Sequence, residues 1–175
     1  AGAADSPQWR RPARDGRATL APRPTLPETL TPAWKFAVGE GHASPVVVGG
    51  RVYVFTREGE EEVVQALDLA TGKRAWRASY SAPYTMNGAA TGHGKGPKST
   101  PTVAGGRVFT FGISGILSAL DAATGRLAWR KDTGTELGQG SPLYGVAQSP
   151  LVDGGNMIVH VGGPGKGALT AFDAA

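Results

Sequence analysis

The 175-residue chain contains no cysteine, which excludes a disulfide framework and thiolate metal sites within it. No stretch approaches the roughly 18 consecutive apolar residues of a membrane-spanning helix, so no helical membrane span is expected. Charge of either sign is sparse: 18 Lys and Arg stand against 14 Asp and Glu, a net charge of +4. The excess is local, because Arg10, Arg11, Arg14, Arg17 and Arg23 face only Asp5 and Asp15 near the start. Nucleic-acid binding calls for a basic face, usually with stacking aromatics, and the nearly balanced remainder argues against nucleic acid as a partner. No Ser-His-Asp arrangement and no carboxylate pair of arguable geometry is present, so no catalytic residue is assigned.

Glycine and proline are plentiful instead, at 27 and 13 residues, favouring many short strands and turns over helices. The chain is organised around Ser99 to Arg130. Thr102 to Ala104 reads as a first strand, and Gly105-Gly106 turns it into a second, Arg107 to Phe111. Ser118 to Ala122 is a third, and the turn from Asp121 to Gly125 leads into a fourth, Leu127 to Arg130. The unit recurs. Ser44-Pro45 begins an earlier copy running through Gly49-Gly50 to Asp68, Gly72 and Trp76. Ser149-Pro150 begins a later one that reaches Asp173. The repeat prolines are 56 and 49 residues apart, within the range of four-stranded propeller blades.

Ala-Leu-Asp-x-Ala-Thr-Gly-x-x-x-Trp resembles the tryptophan-docking repeat of pyrroloquinoline-quinone-type (PQQ-like) β-propellers. That superfamily includes quinoprotein alcohol dehydrogenases and non-catalytic outer-membrane assembly factors of the BamB type. Pro7-Gln8-Trp9-Arg10 with Arg14-Asp15-Gly16 is similar to the start of secreted bacterial members. The resemblance implies an all-β fold: an incomplete β-propeller of four-stranded blades in which Trp34, Asp68, Gly72, Trp76, Asp121, Gly125, Trp129 and Asp173 are structural repeat residues. Residues 1–33 are expected to be an extended Pro- and Arg-rich segment, with Trp9 inserted in an apolar groove. Residues 34–38 read as a closing strand, 42–78 and 98–131 as blades, and 148–175 as a truncated blade. Three blade starts cannot close a ring of four to eight blades, so the remaining blades of a longer chain are expected as partners. Ala1-Gly2-Ala3-Ala4 is the kind of small-residue sequence left near a leader cleavage site, and a periplasmic or extracellular location is expected.

Long loops grouped on one face of such a scaffold are where binding resides. From Trp76 to Pro101 is 25 residues and from Trp129 to Pro150 is 21. His42 and Lys98 each lie three residues before a repeat proline, and there they would ring the mouth of a central channel. Lys98 is placed either to hold a carboxylate or quinone oxygen or to be a solvated lysine at a strand start. His93 and Lys95 lie in Gly92–Ser99, which superficially resembles a phosphate loop. Pro97 occupies the glycine position and a strand follows, so a nucleotide site is not expected; a cationic loop able to meet an anionic ligand is left as an alternative. Tyr80, Tyr84, Asn87, Tyr144 and Gln148 populate the long loops, as a ligand surface or as loops packed on each other. His160 is expected to be packed and hydrogen-bonded. Glu58, Glu60, Glu61 and Glu62 read as a solvated hairpin tip, and no metal site is expected, since calcium needs oxygen ligands converging from several segments.

The function so implied is a non-catalytic binding or scaffold module, without cofactor, engaging a protein partner or a small anionic ligand on its long-loop face. The alternative is a PQQ- and calcium-dependent alcohol or sugar dehydrogenase, and a polysaccharide-binding module is a further one. The adjacent-cysteine disulfide, Asp base and calcium ligands of quinoprotein dehydrogenases match no position in this sequence.

Overall fold

The computed structural model describes residues 5–17, 28–137, 142–163, 165 and 167–175. Expectations that fall on 1–4, 18–27 or 138–141 lie outside the described residues. Three antiparallel sheets follow one another along the chain. The first blade is β1 (Val46–Val48), β2 (Arg51–Glu58), β3 (Glu61–Asp68) and β4 (Arg74–Ser81). The second is β5 (Thr102–Ala104), β6 (Arg107–Phe111), β7 (Ile116–Asp121) and β8 (Leu127–Asp132). A five-residue helix, α1 (Thr133–Leu137), leaves it, and β9 (Leu151–Asp153), β10 (Asn156–Val161) and β11 (Ala168–Asp173) form the third sheet. The first strands neighbour one another, β1 beside β5 and β5 beside β9. The fold is thus all-β, two four-stranded blades and one three-stranded sheet arranged with their first strands side by side, as expected for part of a propeller.

Sequence accounts for the local geometry. Both glycines of each Gly-Gly pair have positive φ, as the primed turns of tight hairpins require. At the other hairpin, Asp68 Oδ1 accepts from the Thr71 amide at 2.8 Å and the Thr71 hydroxyl at 2.7 Å. Asp121 repeats both contacts with Thr124 at the same distances. Register shifts between Ala66 and Leu67 and between Ala119 and Leu120. The bulge lies at the same place in both blades, immediately before the tryptophan, where it re-aims that side chain out of the sheet.

Those tryptophans join the blades. The Trp76 indole N–H donates to Ala122 O of the next blade at 3.0 Å. Its ring packs against Gly125, where an added Cβ would come within 2.5 Å of it. Trp34 does the same to the first blade, donating to Leu69 O at 2.9 Å and covering Gly72. Around Trp76 the core fills the seam between blades one and two with Val46, Tyr53, Val64, Val103, Val108 and Leu120. A second cluster of Phe109, Phe111, Leu117, Val146, Met157 and Val159 fills the next seam, with Trp129 and Phe172 packed against it.

Several expectations need correction. Residues 34–38 form no strand; the nearest pairing is the isolated Glu40–Arg57 bridge. Trp34 keeps its docking role because that role depends on the indole and the glycine beneath it, not on ladder pairing. The Trp129 indole is half-buried, and its N–H has no hydrogen-bond partner among the described residues. Trp9 is not inserted in a groove but 55% exposed. His160 is exposed, and it is its backbone amide that bonds, to Gln148 Oε1.

The initial segment is fastened across the inner strands. Ser6 exchanges two backbone hydrogen bonds with Val47 (2.7 and 3.0 Å), and the Val103 amide donates to Pro7 O at 2.7 Å. Beyond it the chain turns tightly, with Arg10, Arg11 and Arg14 at φ of 60°, 69° and 57°. Such left-handed conformations cost non-glycine residues about 1–2 kcal/mol each.

Truncating a buried tryptophan removes its packing and leaves a cavity, at a cost of about 3–5 kcal/mol. Trp76→Ala is expected to lower stability by that amount in denaturant titration. Trp129→Ala, half-buried and without the indole hydrogen bond, is expected to cost less, but still at least about 2 kcal/mol. Gly125→Ala is expected to cost about 2 kcal/mol or more, because a side chain there meets both the left-handed φ and the Trp76 ring.

Candidate functional site

The long loop between β4 and β5 is shaped by backbone contacts. Asn87 Oδ1 accepts from the Ala89 amide at 2.9 Å and caps a 3-10 turn over Gly88–His93. The loop then returns beneath His42, whose amide donates to Pro97 O at 2.7 Å. The repeat starts are stitched together around the inner strands. The Ser44 amide donates to Thr100 Oγ1 at 3.2 Å, and the Thr100 amide to Ser149 Oγ at 3.0 Å. The recurring Ser/Thr-Pro dipeptide was the sequence signal for this ring of side-chain hydrogen bonds.

His42, His93, Lys98 and Tyr144 converge on this frame and line an open cavity of about 300 Å³. His42 Nε2 lies 2.9 Å from His93 O; a carbonyl only accepts, so Nε2 carries the proton in this arrangement. Lys98 Nζ donates to Tyr144 O at 2.7 Å. An ammonium has three donors, and among the described residues Lys98 forms no ion pair. The His93 and Tyr144 rings meet edge to face at 6.1 Å. The lining offers an ammonium, two imidazoles and a phenol, and no carboxylate. Its chemistry suits an anion with an apolar or planar body, held by charge-assisted hydrogen bonds.

The other four predicted ligand residues do not line this cavity. The Tyr84 hydroxyl lies beside Gly145, where partial burial pushes its pKa up. Asn87 is used as the cap. Lys95 pairs with Glu60 at 3.2 Å, a contact that lowers the Glu60 pKa ahead of the neighbouring Arg57. Gln148 is committed to the His160 amide.

The glutamate run is a hairpin tip only in part. Glu58, Glu60 and Glu61 are exposed, but Glu62 is fully buried in the seam between the first two blades. Glu62 Oε2 accepts from the Tyr80 hydroxyl at 2.9 Å, and Oε1 accepts from the Ile113 amide of the second blade at 2.8 Å. The carboxylate fills the space a Cβ on Gly112 would need. Tyr80 is therefore a buried strand residue rather than a loop residue, with the Arg130 guanidinium 4.0 Å above its ring centroid. Arg57 is equally buried, its guanidinium donating to Gly59 O, Ala82 O and Glu60. β3 is buried on both faces from Glu62 to Leu67, with Glu61 at its exposed end, so alternation along the strand gives no signal for the burial of Glu62.

Burial pushes the Glu62 carboxyl above its ordinary 4.5, against the lowering pull of the Ile113 amide, the Tyr80 hydroxyl and the arginines. A raised folded-state pKa means that the native state binds the proton more tightly than the unfolded chain. The stabilisation is fully present below about pH 4.5 and is lost as pH rises through the folded value. Glu62→Gln is expected to flatten this part of the stability–pH profile, measured by unfolding between pH 4 and 8. Glu62→Ala is expected to cost about 1–3 kcal/mol by leaving the Ile113 amide unpaired.

Comparison with known proteins identifies the relatives of this architecture. The family model described as outer membrane protein assembly factor BamB matches residues 27–92 and 60–175. The chain is 32% identical over 136 residues to a 1-butanol dehydrogenase (cytochrome c) of Thauera butanivorans, covering 75% of this chain and 18% of that protein. It is 26% identical over 166 residues to the outer membrane protein assembly factor BamB of Yersinia pestis, covering 90% of this chain and 38% of that one. A europium-containing methanol dehydrogenase superposes with a TM-score of 0.61 at 28% identity, over 81% of this chain and 25% of that chain. The chain therefore spans less than two fifths of the length of each.

Proposed function

The chain belongs to the PQQ-like β-propeller repeat family of the outer membrane protein assembly factor BamB, and from that membership we propose that it is a non-catalytic binding module of an exported protein. Its ligand is a small carboxylate or a carboxylate-bearing protein segment on the long-loop face. The observation that carries this reading is the convergence of Lys98, His42, His93 and Tyr144 on one cavity without a carboxylate among them. The same kinship supports a periplasmic or extracellular location, and no helix among the described residues is long and apolar enough to cross a membrane.

A second reading, a PQQ- and calcium-dependent alcohol dehydrogenase, is favoured by the likeness to the butanol and methanol dehydrogenases. The cavity does not fit it. Calcium takes six to eight oxygen ligands, carboxylates prominent among them, whereas this lining is cationic and imidazole-rich. Among the described residues no three His, Cys, Asp or Glu side chains gather as a metal site would need. No chemical step is therefore assigned to the quinone here.

Calorimetric titration with acetate, succinate and citrate tests the binding reading. Saturable binding is expected for at least one of them, weakened at least tenfold by Lys98→Met, or about 1.4 kcal/mol. Absence of binding, or binding indifferent to Lys98→Met, overturns it. Dye reduction with 1-butanol or methanol that requires both added PQQ and Ca²⁺ would establish the second reading instead.

A further inference from the structure

The initial segment does something that neither the ligand cavity nor the tryptophan docking requires. It lies as an extra strand on inner edges that would otherwise present unpaired backbone groups. Ser6 N–H donates to Val47 O and Val47 N–H to Ser6 O, forming an antiparallel bridge on β1. Asp5 Oδ1 accepts from the Gly49 amide at 3.1 Å. One residue later, Pro7 O accepts from the Val103 amide on β5. A single extended stretch thus engages two different blades, and Pro7 faces β5 with its carbonyl, the one backbone hydrogen-bonding group proline keeps.

How it is held is as informative as where. No residue of 5–17 is buried, and Trp9, its largest apolar side chain, is 55% exposed. The attachment to β1 and β5 is made of backbone hydrogen bonds and one carboxylate contact, the currency of strand addition at a sheet edge. The following turn carries three arginines in left-handed conformations, which work against the segment holding its place. Towards the third sheet the grip weakens further, to an Arg14 guanidinium contact with Val152 O at 3.4 Å.

We propose that the inner edges of β1 and β5 form a strand-accepting surface for an extended peptide of Asp-Ser-Pro type, that residues 5–17 are its built-in occupant, and that the same segment of a second copy can replace them. The specificity lies in the order of groups. A carboxylate meets the Gly49 amide, a residue with both backbone groups free pairs with Val47, and a carbonyl follows for Val103.

The test uses the full chain with a protease site placed between Arg17 and Glu28. After cleavage, a fluorescein-labelled peptide of residues 5–17 is added and its anisotropy is followed. The cut protein is expected to take up the label saturably and the uncut protein at least tenfold less, with unlabelled peptide competing. A Ser6→Pro peptide, lacking the donor to Val47 O, is expected to fail. Equal uptake by uncut protein, uptake of the Ser6→Pro peptide, or no uptake by folded cut protein overturns the proposal, as does unfolding on cleavage. Hydrogen exchange on the uncut chain is an independent check. The Val47 and Val103 amides are expected to exchange together and at least tenfold faster than the β2–β3 ladder amides, and equal protection would overturn exchangeability.

Discussion

An indole lying on a glycine of the next blade is the contact on which the rest of the molecule depends. A four-stranded sheet of this size has two faces to cover and cannot cover either from within its own sequence. The bulge before Trp76 swings its ring across the seam, and only a residue without a Cβ, already in a left-handed turn, leaves room for it. The Ala122 carbonyl then collects the Trp76 indole, the Tyr53 hydroxyl and the Arg51 guanidinium at 3.0–3.2 Å. Apolar burial and a shared acceptor thus fix the angle between the first two blades at one end of the seam.

The other end is fixed by charge. Glu62 carries a carboxylate across from the first blade to an amide of the second, with Tyr80 and Arg130 closing round it. Desolvation makes this contact costly for an ionised group, and the hydrogen bonds recover part of that cost. What it supplies is direction, since a carboxylate between a fixed amide and a fixed hydroxyl tolerates little sliding of one sheet over the other. A seam held by an apolar contact at one end and a polar one at the other resists both translation and rotation.

That rigidity matters because the ligand cavity is assembled from separate segments. His42 precedes the first blade, His93 and Lys98 lie between the first two, and Tyr144 follows the second. Each reaches the cavity because the blade starts are linked to one another through Ser44, Thr100 and Ser149. The loops are long, but their ends are anchored on neighbouring inner strands, so loop length becomes reach.

The repeat spacing by itself determined the two four-stranded blades, the start of the third, their strand order and the turn residues, because each is set by local chemistry that recurs: paired glycines, an Asp-Thr cap, and a tryptophan four residues after the turn glycine. It also placed His42 and Lys98 at equivalent positions before two inner strands, which made their approach legible. Only the tertiary structure decided which loop residues join them, since Tyr144 and Tyr84 look alike in sequence and differ only in how their loops fold back. It alone showed that residues 34–38 form no strand although Trp34 docks as Trp76 does, that Trp9 stays in solvent, and that Glu62 leaves its charged neighbours for the interior. The physical reason is common to all four: strand pairing and burial depend on what a neighbouring segment brings, and that neighbour lies tens of residues away in the chain.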